Sequence, residues 1–274
     1  MMRAASRRAL DALLETEQSV FGGRVSAKTL AELADELYAV AGVLVAQPRL
    51  RRTVGDPATA AQRRTDLVEQ LFADKVAKQT LEIVKAAASE RWSSPWDLTD
   101  AIEGSGDNAL FAAAEKDHSF DTVEDELFRF ERILENEGET TALLDEVAVD
   151  PSRRIGLLDS LVKDKVSAAT LALLHHAVVS PRKRSIVLAI DDLLENAAKR
   201  KERTVARVIS AVELSDAQVQ RLTAALRDIY DREISVRTAI DPDVRGGLVV
   251  RVGDEVIDGS VATRLATARS ALTG

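Results

Sequence analysis

The chain repeats itself. Moved by 90 positions, Asp35-Glu36-Leu37-Tyr38 falls on Asp125-Glu126-Leu127-Phe128, Arg63-Arg64 on Arg153-Arg154, Asp74-Lys75-Val76 on Asp164-Lys165-Val166 and Thr80-Leu81 on Thr170-Leu171. Leu44, Leu67 and Leu71 land on Leu134, Leu157 and Leu161, and no gap is needed between 28 and 87. Leucine matches alone are cheap, but a register kept over several helices is hard to obtain from amphipathicity. The pattern implies an internally duplicated five-helix unit, 28–116 and 118–203. Towards its end the register slips by about two, since Ala101-Ile102-Glu103 matches Ala189-Ile190-Asp191 better.

The stripes inside the repeat are helical. A composition of 46% apolar but only 4% aromatic residues suits helical bundles better than sandwiches or barrels. A first helix, Ala5 to Val20, carries Ala9, Leu10, Leu13 and Leu14 on one side and ends at Phe21-Gly22-Gly23. The next, Lys28 to Ala46, stops at Gln47-Pro48, because the residue before proline is pushed out of the helical region. Further helices are expected at Arg49 to Val54, from Asp56-Pro57 to about Asp74, at 77–91, and at 97–116 with an interruption at Gly104-Ser105-Gly106. Six helices joined by short loops describe a compact bundle.

The last 71 residues, 204–274, read differently. Thr204 to Val212 alternates as a strand, written by Val205, Arg207, Ile209 and Ala211. Ser215 and Gln218 form a capping box ahead of a helix that runs to about Arg232 and buries Val219, Leu222, Leu226 and Ile229. Ile234 to Ile240 is a second strand. Gly246-Gly247 then opens a hairpin, Leu248 to Val252 and Glu255 to Ile257, turned at Gly253-Asp254. Asp258-Gly259-Ser260 offers an N-cap for a final helix, Val261 to Leu272. The fold class is mainly α: an N-terminal helical bundle (1–117), a second helical unit by duplication (118–203) and a small C-terminal α/β domain, β-α-β-β-α (204–274).

Chemistry is hard to find. A net charge of −8 argues against a nucleic-acid binder, and with no cysteine there is neither a disulfide nor a thiolate metal site. No phosphate-cradling Gly-rich loop, catalytic set or cofactor site is visible. His175 and His176 are adjacent on a helix and cannot face one metal together. His118 precedes a helix and reads as a cap. Glu124, Asp125 and Glu126 complement a helix N-terminus. Arg182-Lys183-Arg184 and Lys199-Arg200-Lys201 read as solvated faces, and Trp92 and Trp96 as interface anchors or as packing. No apolar run approaches the roughly 20 residues that span a bilayer, so membrane association must come through a partner.

The pattern Asp241, Gly246-Gly247-Leu248, Val250, Gly253-Asp254, Asp258 and Ser260 resembles the C-terminal signature of the delta subunit of F-type ATP synthases, the oligomycin-sensitivity-conferring family. The run Val208, Ser210-Ala211, Leu214-Ser215 and Gln218 resembles the family's lead-in to that domain. Ala12-Leu13-Leu14-Glu15 resembles the start of its N-terminal domain, with Ala9 where the family usually has an aromatic. The resemblance implies a non-catalytic peripheral-stalk (stator) subunit, an extended bacterial form with a duplicated helical region. It implies two partners: the N-terminal helices of the catalytic-head alpha subunits, met at Ala9, Leu10, Leu13 and Leu14, and the membrane-anchored b subunit, met by the glycine-signature domain. It implies a peripheral place on the cytoplasmic face of the cell membrane, no cofactor and no nucleic acid. Which helical copy takes the family's usual N-terminal position stays open. A stand-alone helical adaptor unrelated to ATP synthesis is the other reading.

Overall fold

The computed structural model describes residues 3–180, 185–203, 205–230, 234–241, 244, 246–252 and 255–258. It divides into two compact units, Met1–Leu194 and Glu195–Gly274. The first is helical: α1 (Ala4–Gly22), α2 (Ala27–Ala46), α3 (Pro48–Val54), α4 (Ala61–Phe72), α5 (Lys78–Ser89), α6 (Pro95–Lys116), α7 (Phe120–Asn136), α8 (Gly138–Asp145), α9 (Pro151–Val162), α10 (Ala168–Val179) and the start of α11 (Ile186–Arg203), inside which the division falls. Local chemistry sets the helix starts. Ser26 and Ser167 accept from the Thr29 and Thr170 N–H groups, and Pro48, Pro95 and Pro151 stand where a helix has no use for an N–H. Helix α4 begins at Ala61 rather than at Asp56-Pro57. The Asp56 carboxylate accepts from the Ala58 N–H and the Thr59 hydroxyl, both at 3.0 Å, and holds those residues in a turn.

The repeat is physical. Moved by 90 positions, α4 and α5 coincide with α9 and α10 at both ends. Their ties coincide too. Glu36 on α2 accepts from the Ala77 N–H at 2.8 Å and the Thr80 hydroxyl at 2.5 Å. Glu126 on α7 accepts from the Ser167 N–H at 2.9 Å and the Thr170 hydroxyl at 2.5 Å. Glu126 therefore caps another helix rather than merely complementing its own. Arg64 donates to the Ser89 and Glu90 carbonyls at the end of α5, at 3.1 and 2.7 Å, and Arg154 to Val178 near the end of α10 at 2.6 Å. Both guanidinium groups are buried against helix C-termini, where a cation meets the negative end of the macrodipole. Glu69–Lys85 and Asp159–His175 close at 2.6 Å in both copies. The slip near the end is also real: α6 buries Leu98, Ala101, Ile102, Ser105 and Ala109, and α11 buries Ile186, Ala189, Ile190, Leu193 and Ala197, each 88 positions on.

Helix α6 holds the copies together. It runs unbroken through Gly104-Ser105-Gly106, against the interruption expected there. Ser105 turns its hydroxyl to Glu17 at 2.6 Å and to the Ala101 carbonyl at 3.0 Å. Gly106 is needed for packing: a Cβ on it would stand 2.4 Å from the Tyr38 ring. The helix packs on α1, α2, α3 and α5 on one side and on α7 and α10 on the other, and is accordingly buried over most of its surface, Glu103 and Ser105 included. Moved by 90 positions, α1 covers 94–112, the span of α6. As α1 lies on α5 in the first copy, α6 lies on α10 in the second. One helix thus closes the first bundle and opens the next.

The second unit holds a four-stranded sheet, β1 (Val205–Ser210), β2 (Ser235–Ile240), β3 (Leu248–Val252) and β4 (Glu255–Asp258), in the order β2-β1-β3-β4. Strands β1 and β2 are parallel, joined through α12 (Asp216–Tyr230); β3 and β4 are antiparallel additions. Its core is Ala206, Val208, Leu226, Ile234, Val250 and Val252. On β1 the buried set includes Ala206, Val208 and Ser210, while Arg207 is exposed and Ile209 half-buried. Period two gives either face, and an arginine without a partner decides for solvent. Ile229 on α12, expected inside, is 65% exposed. The capping box is half formed. The Ser215 N–H donates to Gln218 Oε1 at 2.9 Å, but the Ser215 hydroxyl turns to the same oxygen at 3.0 Å. The expected final helix, Val261 to Leu272, lies outside the described residues.

Candidate interaction sites

The candidate residues on α1 split between two roles. Ala9 and Leu13 are 1% and 0% exposed, so they hold the helix to the bundle instead of facing outward. Leu10 and Leu14, one turn apart, are half-buried on its flank. Polar ties fix the helix in place. The Ser6 hydroxyl donates to Asp97 at 2.6 Å and accepts from the Ser93 N–H at 2.8 Å, and buried Glu17 accepts from Ser105 and Asn108.

A polar cluster that sequence reading missed fills the seam between the copies. Tyr38 on α2 stacks on His176 of α10, with ring centroids 3.6 Å apart and planes within 9°. The Tyr38 hydroxyl donates to Asp107 at 2.7 Å. Burial, then the Asp107 carboxylate, holds that hydroxyl protonated well above the ordinary phenol range. His176 Nε2 meets Glu103 Oε1 at 2.8 Å, and the Ser180 hydroxyl donates to the same oxygen at 2.7 Å. Serine, histidine and glutamate are all present, but serine and histidine both spend their bonds on the carboxylate. A nucleophile needs its bond to the base, so this set is a lock and not a triad. The signal for it was the +90 alignment, which sets His176 opposite Ala86, a place where the copies differ.

In the C-terminal unit, Gly246 and Gly247 have φ of 67° and 83°, values that side chains with a Cβ rarely adopt. Two left-handed residues in a row turn the chain into β3, where Leu248 pairs with Ser210 and Val250 with Val208. Asp241 donates its N–H to the Ser210 carbonyl at 2.9 Å and accepts from the Val244 N–H at 3.2 Å, closing the loop from β2. Asp258 ends β4 opposite Val249. Gly253, Asp254 and Ser260 lie outside the described residues. The sheet face away from the core carries a row that no local pattern showed. Arg207 on β1 pairs in register with Arg237 on β2 and with Arg251 on β3, and all three are exposed. Like charges directly opposite one another destabilise a sheet, so sheet stability does not account for this row.

The other candidates resolve as packing. Trp92 is buried and donates to the Ala87 carbonyl at 2.7 Å; Trp96 lies under the Arg51 guanidinium, 3.5 Å from its ring centroid. His118 caps the end of α6 and not the start of α7. At φ 54° it sits at the left-handed position of a Schellman closure, with His118 N–H to Glu115 at 3.1 Å and Ser119 N–H to Ala114 at 2.8 Å. Lys199 pairs with Glu195 at 2.7 Å, and Arg182-Lys183-Arg184 lies outside the described residues. Among the described residues, no group of three or more His, Asp or Glu is placed to hold a metal, and no helix is long and apolar enough to cross a membrane.

Comparison with known proteins places the chain in a family. The model of the ATP synthase delta (OSCP) subunit family matches residues 107–272, from inside α6 through the second copy and the C-terminal unit. The chain is 40% identical over 266 residues to ATP synthase subunit delta of Streptomyces avermitilis, covering 97% of this chain and 94% of that one. It is 38% identical to the Streptomyces griseus subunit delta over the whole of both. It is 41% identical to ATP synthase subunit b-delta of Mycobacterium sp. (strain KMS), covering 99% of this chain but 61% of that protein, so it spans about three fifths of that relative's length. Among solved structures, a chain of the Toxoplasma gondii mitochondrial ATP synthase aligns with 61% of this chain and 95% of its own, at 22% identity and a TM-score of 0.31, too loosely to argue from.

Proposed function

The chain belongs to the ATP synthase delta (OSCP) subunit family, and on that premise we propose that it is a non-catalytic stator subunit, joining the alpha subunits of the catalytic head to the b subunit of the peripheral stalk. Family membership along the whole chain is the observation that carries this reading. Its place is the cytoplasmic face of the cell membrane, held there by the stalk. The task needs no nucleophile, base or cofactor. It needs two surfaces and a body that does not yield between them. The stand-alone adaptor has no observation in its favour.

The half-buried pair Leu10 and Leu14 on α1 is the surface we assign to an alpha N-terminal helix, since apolar anchors one turn apart suit helix-in-groove docking. The family model covers the second copy and the C-terminal unit, so a chain altered on α1 also tests which copy meets alpha. The C-terminal sheet is the surface we assign to the b subunit, with Arg237, Arg207 and Arg251 meeting acidic residues of the stalk.

Capture from detergent-solubilised membranes tests the reading. The immobilised chain is expected to retain alpha and b together. Leu10→Asp with Leu14→Asp should lose alpha alone, and Arg207→Glu should weaken retention of b alone. Recovery of neither subunit by the parent chain would falsify the stator assignment.

A further inference from the structure

The duplication leaves one half of an interface unused. In the first copy Tyr38 on α2 is covered: α10 packs on α6 and stacks His176 on the ring while bonding Glu103. The equivalent of Tyr38 is Phe128 on α7, and it is 53% exposed. The surroundings are equivalent too. Val123, Leu127, Phe130 and Leu134 bury themselves as Leu33, Leu37, Val40 and Leu44 do, so α7 presents the same flank. By the 88-residue correspondence of α11 with α6, Asp191 stands where Glu103 stands. Leu188, three residues before it and so on the same face, is 61% exposed.

The charge of this flank leans negative, since Glu131 and Asp191 face Arg132, which already pairs with Glu135 at 3.0 Å. The Glu131 carboxyl, one turn from Phe128, is held above its usual range by burial first, then by Asp191 and Glu135, with Arg132 opposing. Helices α7 and α11 thus bring Glu131 and Asp191 near one another, one turn along from an exposed aromatic ring. An apolar anchor bordered by a surplus of negative charge selects an apolar ligand with a positive border.

We infer that the α7 flank centred on Phe128, bordered by Glu131, Leu188 and Asp191, docks a cationic amphipathic helix of a protein partner, in the place that α10 takes beside α2 and α6. The inner seam supplies the template: an aromatic or imidazole ring over the exposed ring, and a donor to the carboxylate behind it. A second copy of the chain is the other conceivable occupant. The surface does not depend on the stator assignment.

The test uses the full chain and two labelled helical peptides about 18 residues long, one built of Leu and Lys, the other of Leu and Glu. Fluorescence anisotropy should show the Leu/Lys peptide binding in roughly the micromolar range and the Leu/Glu peptide not at all. Phe128→Asp adds negative charge and removes the anchor; it should weaken the Leu/Lys peptide at least about tenfold, whereas charge attraction alone would strengthen it. Phe128→Ser should act in the same direction, with the parent's thermal melt retained. Asp191→Lys should weaken the Leu/Lys peptide and admit the Leu/Glu one. Equal binding by parent and both Phe128 variants would overturn the inference. So would a concentration-dependent dimer, seen by sedimentation and abolished by Phe128→Asp, which would give the face to a second copy.

Discussion

His118 stores a small strain that a single substitution releases. A non-glycine residue in the left-handed region costs about 1 kcal/mol, and the Schellman closure after α6 uses only its backbone. His118→Gly is expected to raise the melting temperature by a few degrees, measured by calorimetry. Gly106 runs the other way. A methyl group there meets the ring of Tyr38, whose hydroxyl is already bonded to Asp107, so Gly106→Ala should cost about 1–3 kcal/mol in a urea titration. Glu131 gives a pH signature. Its pKa is raised in the folded chain, so its ionised form opposes folding: stability is full below the unfolded carboxylate range and declines as pH rises through the folded value. Glu131→Gln should therefore raise the melting temperature at neutral pH, and the gain should vanish in acid. A constant gain at every pH would mean that charge is not the cause. Gly247→Val would force a Cβ into φ 83°, at a cost of about 1–3 kcal/mol, and should damage binding of the stalk while leaving binding of alpha intact.

Among elements, α6 decides what can stand alone. It contributes to both bundles, so a fragment from 95 to 274 keeps all six helices of the second bundle, whereas one from 118 to 274 lacks the helix on which α7 and α10 pack. The longer fragment is expected to unfold cooperatively, and the shorter one to expose apolar surface and bind a hydrophobic dye. Much of this was legible. Most helix spans, the duplication, its slip and the pairing of β3 with β4 follow from periodicity and register, whereas the start of α4 does not, because Asp56 holds a turn there. What stayed hidden was tertiary choice. Gly104-Ser105-Gly106 reads as a breaker until Glu17 and Tyr38 arrive from elsewhere in the chain to occupy it. Val205 to Ala211 alternates acceptably on either face, and only the partner strands select one. Ala9 and Leu13 look the same in sequence as Leu10 and Leu14, and only the positions of α5 and α6 separate core from flank. The arginine row exists in no stretch of sequence, because three strands each supply one member.

At the scale of the molecule, the helical unit answers to two proposed partners and the C-terminal unit to one. The helical unit owes its extent to tandem stacking, in which every copy buries what its neighbour exposes. That logic leaves both ends of the stack with an unmatched surface: the α1 flank at one end and the Phe128 flank at the other. Each is apolar and each borders on charge. Loss of a cap such as Glu36 or Glu126 should cost about 1–3 kcal/mol in either copy, because both seat the same helix start.

A shared α6 also bears on how load passes through the stack. Two finished bundles glued face to face would have a weld line, and repeated torsion would open it there first. Here the boundary is a continuous rod, so prising the bundles apart means stripping side chains from both flanks of a single backbone. In an optical trap gripping residues 4 and 194, the stack should let go in one rip rather than two.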